Sequence, residues 1–187
     1  MARLKSERKR RIILEAAKSL FGRQGFFNTS IQDIVKETGL PIGSIYTYFK
    51  GKEEIISTIV EEGWTMVHGA LKKVLSEKRN PHEKLKSVVD RFLPVLLEDT
   101  DFISILLSEG LVYTRIAEKV ETLTDALSGV MKEVSTDKRS MKAGLMVYFL
   151  GVLSAARVAR QASIGLTQAD LIAFTKKSIE SGIGMKL

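Results

Sequence analysis

The chain has 187 residues, 44% of them apolar, enough to bury a core in one medium domain or in a small domain plus a larger one. It contains no cysteine, which excludes disulfides, thiolate zinc sites and cysteine nucleophiles. The formal charge of +7 is concentrated: residues 1–52 hold 11 Lys and Arg against 4 Asp and Glu, and the rest of the chain is neutral, so the first quarter reads either as a module for a polyanionic partner or as a solubilising basic tail.

The first residues, Met1-Ala2-Arg3-Leu4-Lys5, are polar and basic with no long apolar stretch behind them, unlike a secretory signal. The longest uncharged run, Ala143 to Ala156, has 14 residues, short of the ~20 that a membrane span needs. A soluble cytoplasmic protein without a membrane partner is the expectation. Prolines number three and alternating runs are few, while apolar residues recur at helical spacing nearly throughout, which predicts an all-α fold of about nine helices.

The spacing of Ile13, Ala16, Ala17, Leu20 and Phe21 predicts a first helix over residues 5–24, ended by Gly22 and Gly25. Thr29, with Gln32 three residues on, has the pattern of a capping box opening a second helix that buries Ile31, Ile34 and Val35 and stops at Thr38-Gly39. A third short helix starts near Pro41, where a proline suits the first turn, and runs to Tyr48 or Phe49. Lys50-Gly51 breaks it, and a long helix follows from Lys52 to about Lys78, with Ile55, Ile56, Ile59, Val60, Val67, Leu71 and Val74 on its apolar positions.

Further on, Asn80-Pro81-His82-Glu83 reads as a helix start with its cap, proline and reaching glutamate in order. Other helices are predicted from Asp99 or Thr100 to Leu107, from about Tyr113 to Val134, and from Thr136 or Asp137 to about Ser163. Ile164-Gly165-Leu166 is a turn, and Thr167 to Asp170 caps the last helix. The helix ending near Ser163 is apolar nearly all round: Leu145, Tyr148, Phe149, Val152 and Ala156 form one face, with Met146, Val147, Leu150, Gly151, Ser154, Val158 and Ala162 on the others. Such a helix is buried on more than one side, in the middle of a monomer or between two copies. Arg157 and Arg160 interrupt it, and a buried arginine needs an anionic partner.

Two short helices joined by a glycine turn behind a longer one have helix-turn-helix geometry, whose second short helix enters the major groove. Pro41, Ile42, Gly43, Ser44, Thr47 and Tyr48 are then the residues small or polar enough to approach base edges. Gly43 weakens a helix, so it serves either close approach by a partner or a capping or packing need. Tyr46 and Tyr48, two residues apart, cannot face the same way, so one of them has an inward role open to it, as Phe49 does. Lys52 is either a phosphate contact at a helix N-terminus or a solvated charge that the helix dipole mildly disfavours.

The run from Ile13-Leu14-Glu15-Ala16-Ala17 through Gly25-Phe26, Thr29-Ser30-Ile31, Asp33-Ile34-Val35, Thr38-Gly39-Leu40, Gly43-Ser44-Ile45-Tyr46 and Tyr48-Phe49 to Lys52-Glu53-Glu54-Ile55 resembles, without a gap, the DNA-binding domain of TetR/AcrR-type regulators. The resemblance implies a helix-turn-helix DNA-binding domain over 1–56, joined by a long helix to a helical ligand-binding and dimerisation domain over 57–187. It implies a dimeric repressor, not an enzyme, released from a near-palindromic double-stranded operator by a small, largely apolar effector, with no cofactor and no metal.

Carried over residue by residue, the implied DNA contacts are Thr29, Ser30 and Gln32 at the second helix, Pro41, Ile42, Gly43, Ser44, Thr47 and Tyr48 on the recognition helix, and Tyr46 and Lys52 on phosphates, with Lys5 to Arg11 lying along the backbone or in a minor groove. Ile42 departs from a polar reading surface; it packs on a thymine methyl or faces inward. A pocket is implied among Trp64, His68, Phe92, Leu96, Phe102, Leu106, Tyr113, Ile116 and Tyr148, positions that core packing also explains. The implied homodimer interface comprises Val147, Leu150, Gly151, Ser154, Ala155, Val158, Leu171 and Phe174. The other classes fit less well. His68 and His82 lack metal-ligand spacing, and no phosphate loop or nucleophile elbow is present. An adaptor whose basic N-terminus binds an acidic partner or a membrane surface would leave the two short helices without a use.

Overall fold

A computed structural model describes residues 2–108, 116–131 and 138–183. These form α1 (Ala2–Gln24), α2 (Ile31–Thr38), α3 (Ile42–Tyr48), α4 (Lys52–Leu75), α5 (Pro81–Ser87), a π-helical segment (Val88–Phe92), α6 (Leu93–Glu98), α7 (Thr100–Ser108), α8 (Ile116–Met131), α9 (Lys138–Ala162) and α10 (Gln168–Ile183). The backbone stays helical from α5 through the π segment into α6, so the described residues make nine rods and no strand. The all-α expectation holds.

Most local signals act where the sequence placed them. Gly39 takes φ +67° and donates its N–H to Val35 O, ending α2. Asn80 caps α5 reciprocally with Glu83. Thr167 and Asp170 do the same for α10, the Thr167 N–H donating to Asp170 Oδ2 at 2.8 Å and the Asp170 N–H to Thr167 Oγ1 at 3.2 Å. Three expectations need correction. The N-cap of α2 is Ser30 with Asp33 as its box partner, not Thr29 with Gln32, because the Thr29 hydroxyl turns back to donate to Gly25 O. Gly22 does not end α1, which runs on to Gln24; a Cβ on Gly22 would lie 2.7 Å from Asp101 Cβ, so this glycine allows α7 to approach, and Gly25, at φ +85°, makes the stop. The fourth helix ends at Leu75 rather than near Lys78. The π segment was not foreseen. Pro94 has no N–H for the carbonyl four residues back and its ring crowds that carbonyl, and one widened turn just before it accommodates the defect.

Two compact units divide the chain, Met1–Gly63 with Asp101–Ile116 and Trp64–Thr100 with Ala117–Leu187; the boundary expected at 56/57 lies inside α4. The first unit buries Ile13, Ala17, Phe21, Phe26, Ile34, Ile45, Phe49 and Ile56 completely or nearly so, which fixes α1, α2, α3 and the start of α4 around one core. The second unit is built on Trp64, Val67, Leu71, Leu85, Val89, Phe92, Leu123, Leu153 and Ala156. No described helix is long and apolar enough to cross a membrane.

Candidate nucleic-acid interface

The sequence Ser30-Ile31-Gln32-Asp33 builds the start of α2 as a closed box. The Ser30 Oγ accepts from the Asp33 N–H at 3.2 Å, and Asp33 Oδ2 accepts from both the Ser30 N–H at 2.9 Å and the Ser30 hydroxyl at 2.6 Å. These bonds hold the Asp33 carboxyl below its ordinary range, the Ser30 hydroxyl contributing most. Ser30 and Gln32 remain exposed.

Pro41 is the N-cap of α3, and its carbonyl accepts the Ser44 N–H at 2.8 Å. The helix turns Ile45, with Phe49 just beyond it, into the core and leaves Pro41, Ile42, Gly43, Tyr46 and Thr47 exposed, with Ser44 and Tyr48 half-buried. Tyr46 is 54% exposed and Ile42 43%, so the outward tyrosine is Tyr46 and Ile42 is not a core residue. Around Gly43 a Cβ would meet nothing within 4 Å, and its φ lies outside the left-handed region. Neither packing nor backbone conformation within the chain requires a glycine there. The Thr47 hydroxyl donates back to Gly43 O at 2.8 Å.

Two residues expected at the contact surface have internal roles. Thr29 is 1% exposed; its hydroxyl donates to Gly25 O and accepts from Gln24 Nε2. Lys52 is half-buried, and its ammonium donates to Phe26 O at 2.9 Å and Thr29 O at 3.0 Å while lying 4.3 Å from the centre of the Phe26 ring. Sequence reasoning read neither role, because both depend on where the turn at 25–29 folds back. Along α1, Arg8, Lys9 and Arg11 are exposed, whereas Arg10 pairs with Glu62 at 2.8 Å and stacks over Phe49. The side chains of residues 1–5 lie outside the description, so the expectation for Lys5 has no structural counterpart.

In the second unit a cleft of about 420 Å³ is lined by His68, Leu71, Lys72 and Leu75, then Ser76 just past α4, and Thr122, Leu123 and Ala126 of α8. Of the described residues expected to line a pocket, His68 alone borders it; its ring lies 5.4 Å from that of Trp64. Trp64, Phe92 and Leu96 are core residues of this unit, and Phe102 and Leu106 are core residues of the first. Tyr113 and the Ile116 side chain lie outside the described residues. The Tyr148 hydroxyl is shielded from solvent and has no hydrogen-bond partner among the described residues. None of the seven other cleft residues is among those the sequence assigns to a pocket, although Leu71, Lys72 and Leu75 fall on the same helical repeat as His68.

On α9, Val152, Leu153, Ala156 and Ala159 are buried, while Val147 (72% exposed), Leu150, Gly151, Ser154 and Val158 face outward with Ala155 half-buried. On α10 Phe174 is 63% exposed, but Leu171 packs inside its own unit. Arg157 is half-buried and Arg160 exposed, the latter donating to the Thr100 hydroxyl, so neither is the buried charge the sequence suggested. Among the described residues no group of three or more His, Cys, Asp or Glu could hold a metal.

An exposed short helix with an open glycine, set behind a capped helix and a left-handed glycine turn, has helix-turn-helix geometry. Over residues 13–59 the chain matches the family described as bacterial regulatory proteins, tetR family. It is 36% identical over 86 residues to the uncharacterized HTH-type transcriptional regulator YfiR of Bacillus subtilis, a match covering 46% of this chain and 40% of that one. It is 29% identical over 87 residues to the fatty acid metabolism regulator protein of the same organism, covering 46% and 45%. These matches span less than half the length of either relative. In fold, a TerR/AcrR-family transcriptional regulator from Aquifex aeolicus matches over 92% of this chain and 98% of its own, with TM-score 0.69 and 25% identity.

Proposed function

We propose that the protein is a DNA-binding transcription repressor that grips a near-palindromic operator as a homodimer and lets go when a small, largely apolar molecule occupies its second unit. The observation that carries the reading is the outward face of α3, where Gly43 has open space around it that its own chain does not use. A backbone bare of Cβ lets base edges come close, Tyr46 and Ser44 supply polar contacts, and Ile42 offers an apolar one to a thymine methyl. Exposed Ser30 and Gln32 flank that face, with Arg8, Lys9 and Arg11 on α1 available to the phosphates.

A second copy would cover the outward stripe of α9, where Gly151 and Ser154 permit close helix approach beside Val147, Leu150 and Val158. Two recognition helices would then meet the duplex about one turn apart, ~34–36 Å, or a multiple of it. The cleft beside α4 has the size and apolar lining of a small-molecule site, with His68 and Lys72 at its polar side. The fatty acid metabolism regulator among its relatives favours an effector with an acyl chain. A helix that carries both the cleft residues Leu71 and Leu75 and, at its other end, Lys52 gives the effector a lever on the DNA-binding unit; a coupling of ~1–3 kcal/mol is enough to change occupancy.

Selection from a pool of random duplexes tests the reading. The protein should enrich one two-fold-symmetric sequence and bind it more weakly as salt rises. Enrichment of nothing, or of an asymmetric site bound by a monomer, would overturn it.

A further inference from the structure

The seven residues of α3, Ile42-Gly43-Ser44-Ile45-Tyr46-Thr47-Tyr48, include no arginine, lysine, asparagine, glutamine or carboxylate. Those are the side chains that tell base pairs apart by hydrogen bonds: arginine and lysine on guanine, asparagine and glutamine on adenine, carboxylates on cytosine. Gln32 carries an amide, but it stands on α2, the helix that crosses the backbone in this geometry. The polar groups of α3 discriminate poorly. Ser44, Tyr46 and Thr47 bring hydroxyls, and a hydroxyl donates or accepts as its partner requires; that of Thr47 is already donated to Gly43 O. The Gly43 N–H has no acceptor within its own helix, and any purine supplies one at N7. None of these separates a T·A pair from a C·G pair.

Ile42 is different. It is 43% exposed, next to a glycine whose Cβ position is open, while Ile45 of the same helix is wholly buried. Its side chain forms no hydrogen bonds, so the feature of a base edge that it can sense is the C5 methyl group, which thymine carries and cytosine lacks. We propose that Ile42 is the specificity-determining residue of α3 and reads the C5 methyl group itself, so that 5-methylcytosine is accepted in place of thymine where cytosine is refused. Burial of the methyl group against the isoleucine supplies the discrimination. The hydroxyls adapt to O4 of thymine or to the N4–H of methylcytosine. A site made by cytosine methylation is then bound as one written in thymine. This rests on the reading of α3 as the groove-seated helix.

The test uses the two-fold-symmetric duplex that wild type enriches from random sequence, remade with one symmetry-related pair of pyrimidines altered at a time. Deoxyuridine for thymine deletes the methyl group alone. At one pair of positions or more it should weaken binding by about fifteenfold, about fourfold for each methyl group withdrawn from burial. At that pair 5-methylcytosine opposite guanine should bind within about threefold of thymine, less than one methyl group is worth, and cytosine opposite guanine as weakly as uracil. In Ile42→Ala, which removes the contacting atoms from an exposed position, the gap between thymine and uracil should close to about twofold or less. Tolerance of uracil at every pair, rejection of 5-methylcytosine along with cytosine, or a gap that survives in Ile42→Ala overturns the methyl reading. Should the variant fail to fold, the first two comparisons decide with wild type alone. A chain that enriches no duplex overturns the proposed function and this inference with it; a duplex bound without regard to the methyl group overturns the inference alone.

Discussion

The α3 face and the outward stripe of α9 are both exposed, yet they expose opposite chemistry. On α3 the outward positions are a glycine, a threonine, a tyrosine and one isoleucine, and the first helix is basic. On α9 they are valines and a leucine around Gly151 and Ser154, with Phe174 of α10 equally bare. A polar, backbone-accessible surface suits hydration or a polar groove, whereas exposed apolar residues grouped on one helix suit a partner surface. Exposure alone distinguishes neither; what the exposed atoms can bond to does.

The contrast can be broken most severely on α9. Val147→Glu places a charge where a partner helix would pack, with no cost inside the protomer because the side chain already faces water. Sedimentation should show a monomer, and operator affinity should fall by about a hundredfold or more, since each half-site alone lacks the avidity of the pair. A dimer that survives the change would place the interface elsewhere.

On α3 the expected loss is smaller and has a distinctive form. Gly43→Ala meets no atom of the chain and should leave stability unchanged or raise it by up to ~1 kcal/mol, while operator affinity falls about tenfold, the cost of a misplaced contact in a specific interface. Denaturant melts and anisotropy titrations on one sample separate the two effects; parallel changes would point to a structural role for Gly43 instead.

Support of the face should be weaker still. Ser30→Ala removes the α2 cap and should cost ~1 kcal/mol in the first unit. Acid acts on the same box. Because the Asp33 carboxyl is held below the ordinary aspartate value of 3.8, its contribution is complete above that pH and is lost as pH falls through the lower folded value. Carboxyl titration by NMR should place Asp33 below ordinary aspartates in wild type and return it towards 3.8 in Ser30→Ala. The smallest effect belongs to the second unit. Tyr148→Phe deletes a shielded hydroxyl with no partner among the described residues and should be neutral or stabilising by ~1 kcal/mol in thermal melts; a clear destabilisation would reveal a bond to that hydroxyl.

The first unit was legible in the sequence because its signals are local. Gly39, Lys50-Gly51 and the i, i+4 apolar rows each act within a few residues, and the bounds of α2 and α3 follow from them. What failed there depends on the chain returning on itself: Thr29 reads as a cap until its hydroxyl is seen bonded to Gly25 O, and Lys52 reads as a surface cation until the turn supplies two carbonyls. In the second unit helical periodicity was again readable, and α9 was seen to be apolar on more than one face. Which apolar residues line a cleft was not, because Leu71 and Phe92 look alike in sequence and differ only in what stands opposite them. Leu171, assigned to the outer face, packs inward for the same reason.

The absence of cysteine allows a direct test of where α3 goes. Thr47→Cys gives a single reactive thiol on the exposed side of the helix, to which a DNA-cleaving iron chelate can be attached. On the selected operator the tethered reagent should cut at two symmetry-related positions within the major groove, one in each half-site. Cleavage scattered along the duplex, or none while the protein remains bound, would contradict a groove-seated α3.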